Sequence, residues 1–211
     1  MREEFKSKAK MYLDGNWPEV VITTIIFLLL TSVSSSNSWL GFESGDWQFG
    51  LKGGFSQIFS LIVAGPLTYG FVRFIRSLKT SSSEISQLFV GFQERFKETF
   101  IAHVVTTIFI VLWSLLLIVP GIIAAISYTM VYLVLQDNPN LNAFQAIQES
   151  KSMMNGNKMR FFGFALSFAG WFILGILTLG IGLLYAVPYY TSAKIEFYEE
   201  LKTRKIKDYT Y

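Results

Sequence analysis

"LLLIVPGIIAAIS", residues 115–127, is the stretch on which the fold turns. It lies inside a run of 38 residues, 99–136, that carries no formal charge. A straight helix over that run would be about 57 Å long, nearly twice the roughly 30 Å hydrocarbon core of a bilayer. The run must therefore fold back. Val119-Pro120-Gly121-Ile122 suits a type II turn, with proline setting the second position and glycine supplying the positive φ of the third. Pro120 and Gly121 are thus read as a corner between two crossings. The competing reading, a re-entrant break facing a cavity, would need burial in protein.

Three further blocks, 20–42, 53–72 and 161–193, are also free of charge. The last would span about 50 Å if straight, and Gly180 and Gly182 in "LTLGIG" offer a second corner. The composition agrees: 52% hydrophobic, 17% aromatic and 16% charged, where soluble domains carry about 25% charged residues. The expectation is an all-α polytopic membrane protein, a single membrane domain over 1–211. Six transmembrane helices form three hairpins, near residues 18–33, 56–75, 99–118, 122–136, 161–179 and 183–198. Residues 34–55 make an outer loop, and 1–17, 76–98, 137–160 and 199–211 are the cytoplasmic segments. The basic residues before the first block and the "SVSSS" after it resemble a signal peptide. The long flank with Glu3, Glu4 and Asp14 favours an uncleaved first span instead.

On this plan 17 of the 18 lysines and arginines fall on the side of the termini, and only Lys52 lies opposite. The positive-inside rule then places both termini in the cytoplasm of a cytoplasmic-membrane protein. Each pair of spans follows an amphipathic segment: 3–13, 84–96 and 142–154. In the second, Ile85, Leu88, Phe89, Phe92 and Phe96 share one helical face. The endings "YLDGNWPEV" and "MMNGNKMRF", and a proline in the second span of each pair, suggest a threefold unit. Duplication and convergence explain it equally well. The three amphipathic helices serve either as connectors under the bundle or as sensors of anionic lipid.

Chemistry has little to build from. Cysteine is absent and there is one histidine, His103, so a metal site lacks ligands and no cofactor is expected. The spans hold no Asp, Glu, Lys or Arg near their centres, where ion-coupled chemistry places them. No phosphate loop, catalytic triad or nucleic-acid module is present. His103 reads as structural and the chain as no enzyme. Small residues at packing spacing (Gly121 with Ala125, Gly163 with Ser167, Ala165 with Ala169) suit contacts within the bundle or in a homo-oligomer. Candidate contacts to lipid or a partner membrane protein are Lys151, Asn157, Lys158, Arg160, Lys194, and Trp39 and Trp47 of the outer loop. Lys194 snorkels to the interface, meets a head group, or pairs with Glu196 or Glu149.

The stretches "LWSLLLIVPGIIAAISYTMVYLVLQDNP" and "AIQESKSMMNGNKMRFFGFALSFAGWFILGILTLGIGLLYAVPYY" carry a family likeness. With Ser150-Lys151, Gly156-Asn157-Lys158, Ser167-Phe168, Gly170-Trp171, Gly180-Ile181-Gly182 and Pro188-Tyr189, the chain resembles the bacterial integral membrane proteins of domain-of-unknown-function family 975. Tyr185 stands where that family favours tryptophan. The resemblance implies a membrane protein, mostly of Gram-positive bacteria, without an assigned activity. The expected function is a non-catalytic membrane component that binds lipid or a partner membrane protein in envelope maintenance. The alternative is a small transporter or channel for an apolar or amphiphilic substrate, with a pathway lined by Ser127, Tyr128, Ser167 and Thr178.

Overall fold

The computed structural model describes residues 2–32, 51–80 and 84–208. Among them every regular element is helical. In chain order these are α1 (Arg2–Leu13), α2 (Trp17–Ser32), α3 (Leu51–Ser77), α4 (Val90–Gln93), α5 (Phe96–Leu116), α6 (Ile118–Tyr128), α7 (Val131–Asp137), α8 (Ala143–Met154), α9 (Lys158–Leu166), α10 (Ala169–Leu177) and α11 (Leu183–Asp208). Short 3-10 turns occupy Leu78–Thr80 and Ile85–Phe89.

Among the described residues four helical stretches are long and apolar enough to cross a membrane: Leu61–Thr80, Phe96–Leu116, Ile118–Asp137 and Lys158–Leu177. The pair α1–α2, bent by 101°, would make five at most. The expected six transmembrane helices in three hairpins are thus corrected to four, at most five, among the described residues. α2 has 16 residues, about 24 Å of helix. In α11 the apolar part, 183–193, runs only about 17 Å before Lys194, Glu196, Glu199, Glu200, Lys202 and Arg204. The outer loop is also shorter than expected, because residues 51–55 already belong to α3.

The corner in the charge-free run falls at Leu117, which is extended (φ −161, ψ 145). Pro120 is the third residue of α6, where the first turn has no intrahelical use for its missing N–H. Gly121 is helical and has no positive φ. A Cβ there would meet the Ser114 hydroxyl oxygen at 2.1 Å and Ser114 Cα at 2.9 Å. The type II turn over 119–122 is thus corrected: the glycine lets α6 close on α5. The second corner uses glycine as expected. Leu179 (φ 54) and Gly180 (φ 93) are left-handed, and the Gly180 N–H donates to the Gly175 carbonyl at 2.9 Å.

Two of the four crossing stretches are interrupted. Between α6 and α7, Ser150 of α8 closes the gap: its hydroxyl donates to the Ser127 carbonyl (2.8 Å) and accepts from the Met130 N–H (3.3 Å). Between α9 and α10, Lys6 of α1 donates to the Ser167 carbonyl at 3.4 Å. A broken span survives at membrane depth only when protein satisfies the freed backbone groups.

The core lies at the end of the bundle where the basic residues collect. Phe5, Ala9 and Leu13 of α1 and Ala143, Ala146, Ile147, Met153 and Met154 of α8 are buried in it, with Phe161, Phe164, Phe197 and Tyr198. These residues of α1 and α8 are spent on protein, while Met11 and Phe144 stay exposed. Asn142 and Gln145 form a reciprocal capping box that starts α8. The segment 84–96 is not one helix but a 3-10 turn, α4 and a bend. It crosses α3 backbone to backbone, where a Cβ on Gly70 would lie 1.9 Å from the Leu88 carbonyl oxygen and one on Gly91 2.3 Å from that of Pro66.

At the far end the chain is open. Of the most apolar stretch of α5, 11% is buried, against 56% in that of α3. Leu115 to Val119, Ile176, Leu177, Leu179 and Ile181 point outward.

Candidate functional site

The structure scatters the residues singled out from sequence. Pro120, Gly121, Gly180 and Gly182 sit at the two far-end corners and shape them. A Cβ on Gly182 would lie 2.8 Å from Gly175 Cα, so this pair sets the approach of α10 and α11. Lys151 is exposed and Lys158 half-buried. Asn157 donates to the Met153 carbonyl at 3.2 Å and closes the end of α8. Arg160 is tied to Glu200 and lies 5.0 Å from the Phe197 ring centroid. The Lys194 ammonium lies 5.9 Å from the Tyr190 centroid. Glu196, one of its expected partners, pairs with Lys79 instead. Trp39 and Trp47 fall outside the described residues.

The hydroxyls proposed for a transport pathway do not converge. Ser127 donates to the Ile123 carbonyl (2.7 Å), Ser167 to that of Phe164 (2.7 Å) and Thr178 to that of Leu174 (2.9 Å). The Tyr128 ring packs against Phe109, centroids 6.1 Å apart. The three aliphatic hydroxyls are thus bonded to carbonyls of their own helices, and that of Thr178 also accepts from the Gly182 N–H at 2.9 Å. His103 meets the Tyr132 hydroxyl at 3.1 Å and joins α5 to α7.

What the fold does bring together is a charged network at the basic end. Asp137, the last residue of α7, accepts from Arg76 of α3, from Lys202 of α11 and, at 3.0 Å, from the Tyr198 hydroxyl. Burial first, and then the Asp137 carboxylate, push the Tyr198 hydroxyl above the ordinary phenol range, so it stays a donor. Arg76 also reaches Glu199 at 2.8 Å. Arg73 pairs with Glu94 at 2.6 Å. Arg95 donates to the carbonyls of Pro139 and, at 2.6 Å, Leu141, holding the link between α7 and α8. Opposite charges more than sixty residues apart thus fasten α3, α7 and α11 at one level. Helical spacing within one element could not have revealed these pairs.

Two cavities open beside the network. One, about 350 Å³, is lined by Arg73, Arg76, Ser77, Thr80, Gln87 and Gln136. The other, about 400 Å³, lies between α1 and α11 and is lined by Glu4, Phe5, Lys8, Glu196, Glu199, Glu200 and Thr203. Its carboxylates are committed to Lys8, Lys79, Arg76 and Arg160. Among the described residues no group of three or more His, Cys, Asp or Glu side chains is placed to hold a metal ion.

A family model described as "Protein of unknown function (DUF975)" matches residues 1–128 and 115–205. No curated protein and no solved structure matches the chain.

Proposed function

The chain belongs to the DUF975 family, and from that premise we propose that it is a non-catalytic, multi-pass membrane protein whose work is binding, with lipid or a partner membrane protein as its ligand. The observation that carries this reading is the division of the molecule. Charge is gathered and paired at one end, while the α5–α6 corner and the end of α10 present unpaired apolar side chains at the other, with Leu117 at 67% and Leu177 at 72% exposure. Apolar area of that kind is expensive in water, and it is satisfied by acyl chains or by another membrane-embedded surface. The hydroxyls of Ser127, Ser167 and Thr178, bonded to carbonyls of their own helices, lend the transport reading no support.

The basic end faces the cytoplasm in this account, because cationic residues are retained on that side. Both chain ends belong to it. Glu4, Phe5 and Lys8 of α1 share a cavity with Thr203 of α11, so the N-terminal helix and the late part of α11 lie at one level.

A photoactivatable benzophenone residue at Leu116 or Ile176, irradiated in native membranes, tests the reading. Adducts with phospholipid or with one discrete membrane protein are expected, and the same probe at Lys151 should give neither. Equal adduct patterns from all three positions would overturn it.

A further inference from the structure

We propose that Lys194, beside the two interrupted spans, is an anion site that takes the singly charged oxyanion of one acyl-chain amphiphile, a phospholipid phosphodiester or a fatty-acid carboxylate. From Thr191 to Tyr198, α11 is enclosed by protein, and every residue except Lys194 is buried. Lys194 stays partly exposed and its nitrogen remains accessible. Its Cα lies about 18 Å of helix past Gly182 at the far corner, and about 8 Å short of Glu199 in the charged network. An ionisable side chain held at such depth in a membrane bundle marks a site for an ion or a charged ligand.

The cation lacks an anion of its own. Among the described residues the ammonium has no carboxylate at ion-pair distance and no hydrogen bond; its contact is the Tyr190 ring, 5.9 Å away. The cations at the neighbouring level are matched instead, Lys79 with Glu196, Arg76 with Glu199 and Arg160 with Glu200.

Tyr190, one turn before Lys194, places the site. Its hydroxyl meets the Thr129 side chain, inside the break between α6 and α7. Its ring lies 5.5 Å from that of Phe168, inside the break between α9 and α10. Lys194 therefore sits next to both interruptions, and broken helices at membrane depth are where membrane proteins build ligand sites.

Charge and surroundings choose the ligand. One cation asks for one negative charge. Lys6, over the Phe168 ring at 5.2 Å, is already used by the Ser167 carbonyl and by Glu3, so it is not free to help hold a dianion such as phosphate. The wall beside the ammonium is aromatic: Phe164, Phe168 and Phe172 pack on Tyr190 with centroids 6.1, 5.5 and 5.8 Å away. Those rings bring no hydrogen-bond donor to replace the water around a soluble anion, whereas an acyl chain gains by burying against them. The acyl-chain source rests on the proposed reading of the chain as a lipid-binding protein; the unmatched cation does not.

The test uses the full chain in neutral-detergent micelles. Thermal protection is titrated with phosphatidylglycerol, oleate, phosphatidylcholine, acetate and inorganic phosphate, and the concentration giving half the shift in melting midpoint is the readout. Phosphatidylglycerol and oleate should each protect at concentrations about fivefold below phosphatidylcholine, the worth of roughly one lysine near an anionic membrane surface. Acetate and phosphate should not protect. Lys194→Met, which keeps the apolar stem, should abolish the preference, Lys194→Arg should retain it, and Lys151→Ala should leave it unchanged. If Lys194→Met does not fold, Lys194→Gln carries the comparison. No preference in the parent, a preference undiminished once the Lys194 charge is removed, or equal protection by acetate or phosphate overturns the proposal. Adducts at Leu116 and Ile176 remain the separate check on the broader lipid reading, so the two can fail independently.

Discussion

Gly70→Ala probes how the connector before α5 is seated on α3. A methyl group at residue 70 would lie 1.9 Å from the Leu88 carbonyl oxygen, 2.5 Å from its carbon and 2.9 Å from the Gln87 carbonyl oxygen. All three are backbone atoms, so no side-chain rotation relieves the contact. The turn Ile85–Phe89 must retreat by about 1.5 Å, the gap between 1.9 and 3.4 Å, before the contact becomes ordinary. Two effects compete. Alanine in a helix interior is favoured over glycine by about 0.5–1 kcal/mol, whereas overpacking of a well-filled interior costs about 1–3 kcal/mol. Overpacking wins, with a net loss of about 1–2 kcal/mol. For a chain of this size that lowers the melting midpoint by roughly 2–8 °C, read from intrinsic tryptophan fluorescence in detergent micelles. Gly170→Ala is the control: a Cβ there meets nothing within 4 Å, and that variant should melt at or slightly above the parent. If Gly70→Ala melts no lower than Gly170→Ala, the close crossing of α3 and the connector is refuted.

Ser150→Ala leaves the Ser127 carbonyl and the Met130 N–H unpaired at a fully buried position. A loss of about 1–3 kcal/mol follows, together with faster hydrogen exchange of the Met130 amide; unchanged exchange would show that the break does not depend on Ser150. Asp137→Asn strips the carboxylate from Arg76 and Lys202. Breaking a buried pair costs about 3–5 kcal/mol; because the Lys202 side chain is 37% exposed, about 2–3 kcal/mol is expected here. Reciprocal rescue by Lys202→Met, which removes one of the stranded cations, should recover part of that loss in a double-mutant cycle, and strict additivity would argue against the pairing.

Legibility from sequence followed the range of the physics involved. The charge-free run 99–136 exceeds any single crossing, so a helix, a corner and a second helix could be read directly. The corner was placed late because Pro120-Gly121 matches a turn signature, yet proline costs nothing in a helix's first turn and the glycine answers to Ser114 across the hairpin. Counting charge-free blocks overstated the crossings. It took α2, whose 16 residues match the expected 18–33 in length, and the apolar start of α11 for whole spans. The charged half of α11 belongs to a folded network, where Glu196 is 8% exposed against Lys79. Gly70, Gly91 and Asp137 escaped notice for one reason: their partners lie on other elements. Asn142 and Gln145, by contrast, bond each other within one turn, so their partners lie on the same element.

Because the native chain has no cysteine, one thiol at a time can report the arrangement of the hairpins across the bilayer. Leu117→Cys, Leu179→Cys, Asn140→Cys and Lys151→Cys place it at the two far-end corners and at the basic end. A membrane-impermeant maleimide added to intact expressing cells should modify the first two, and reach the last two only after permeabilisation. Modification of positions 117 and 140 from the same side would contradict a crossing by the second limb of the hairpin, α6 and α7, and with it the account of the protein as a membrane-spanning bundle.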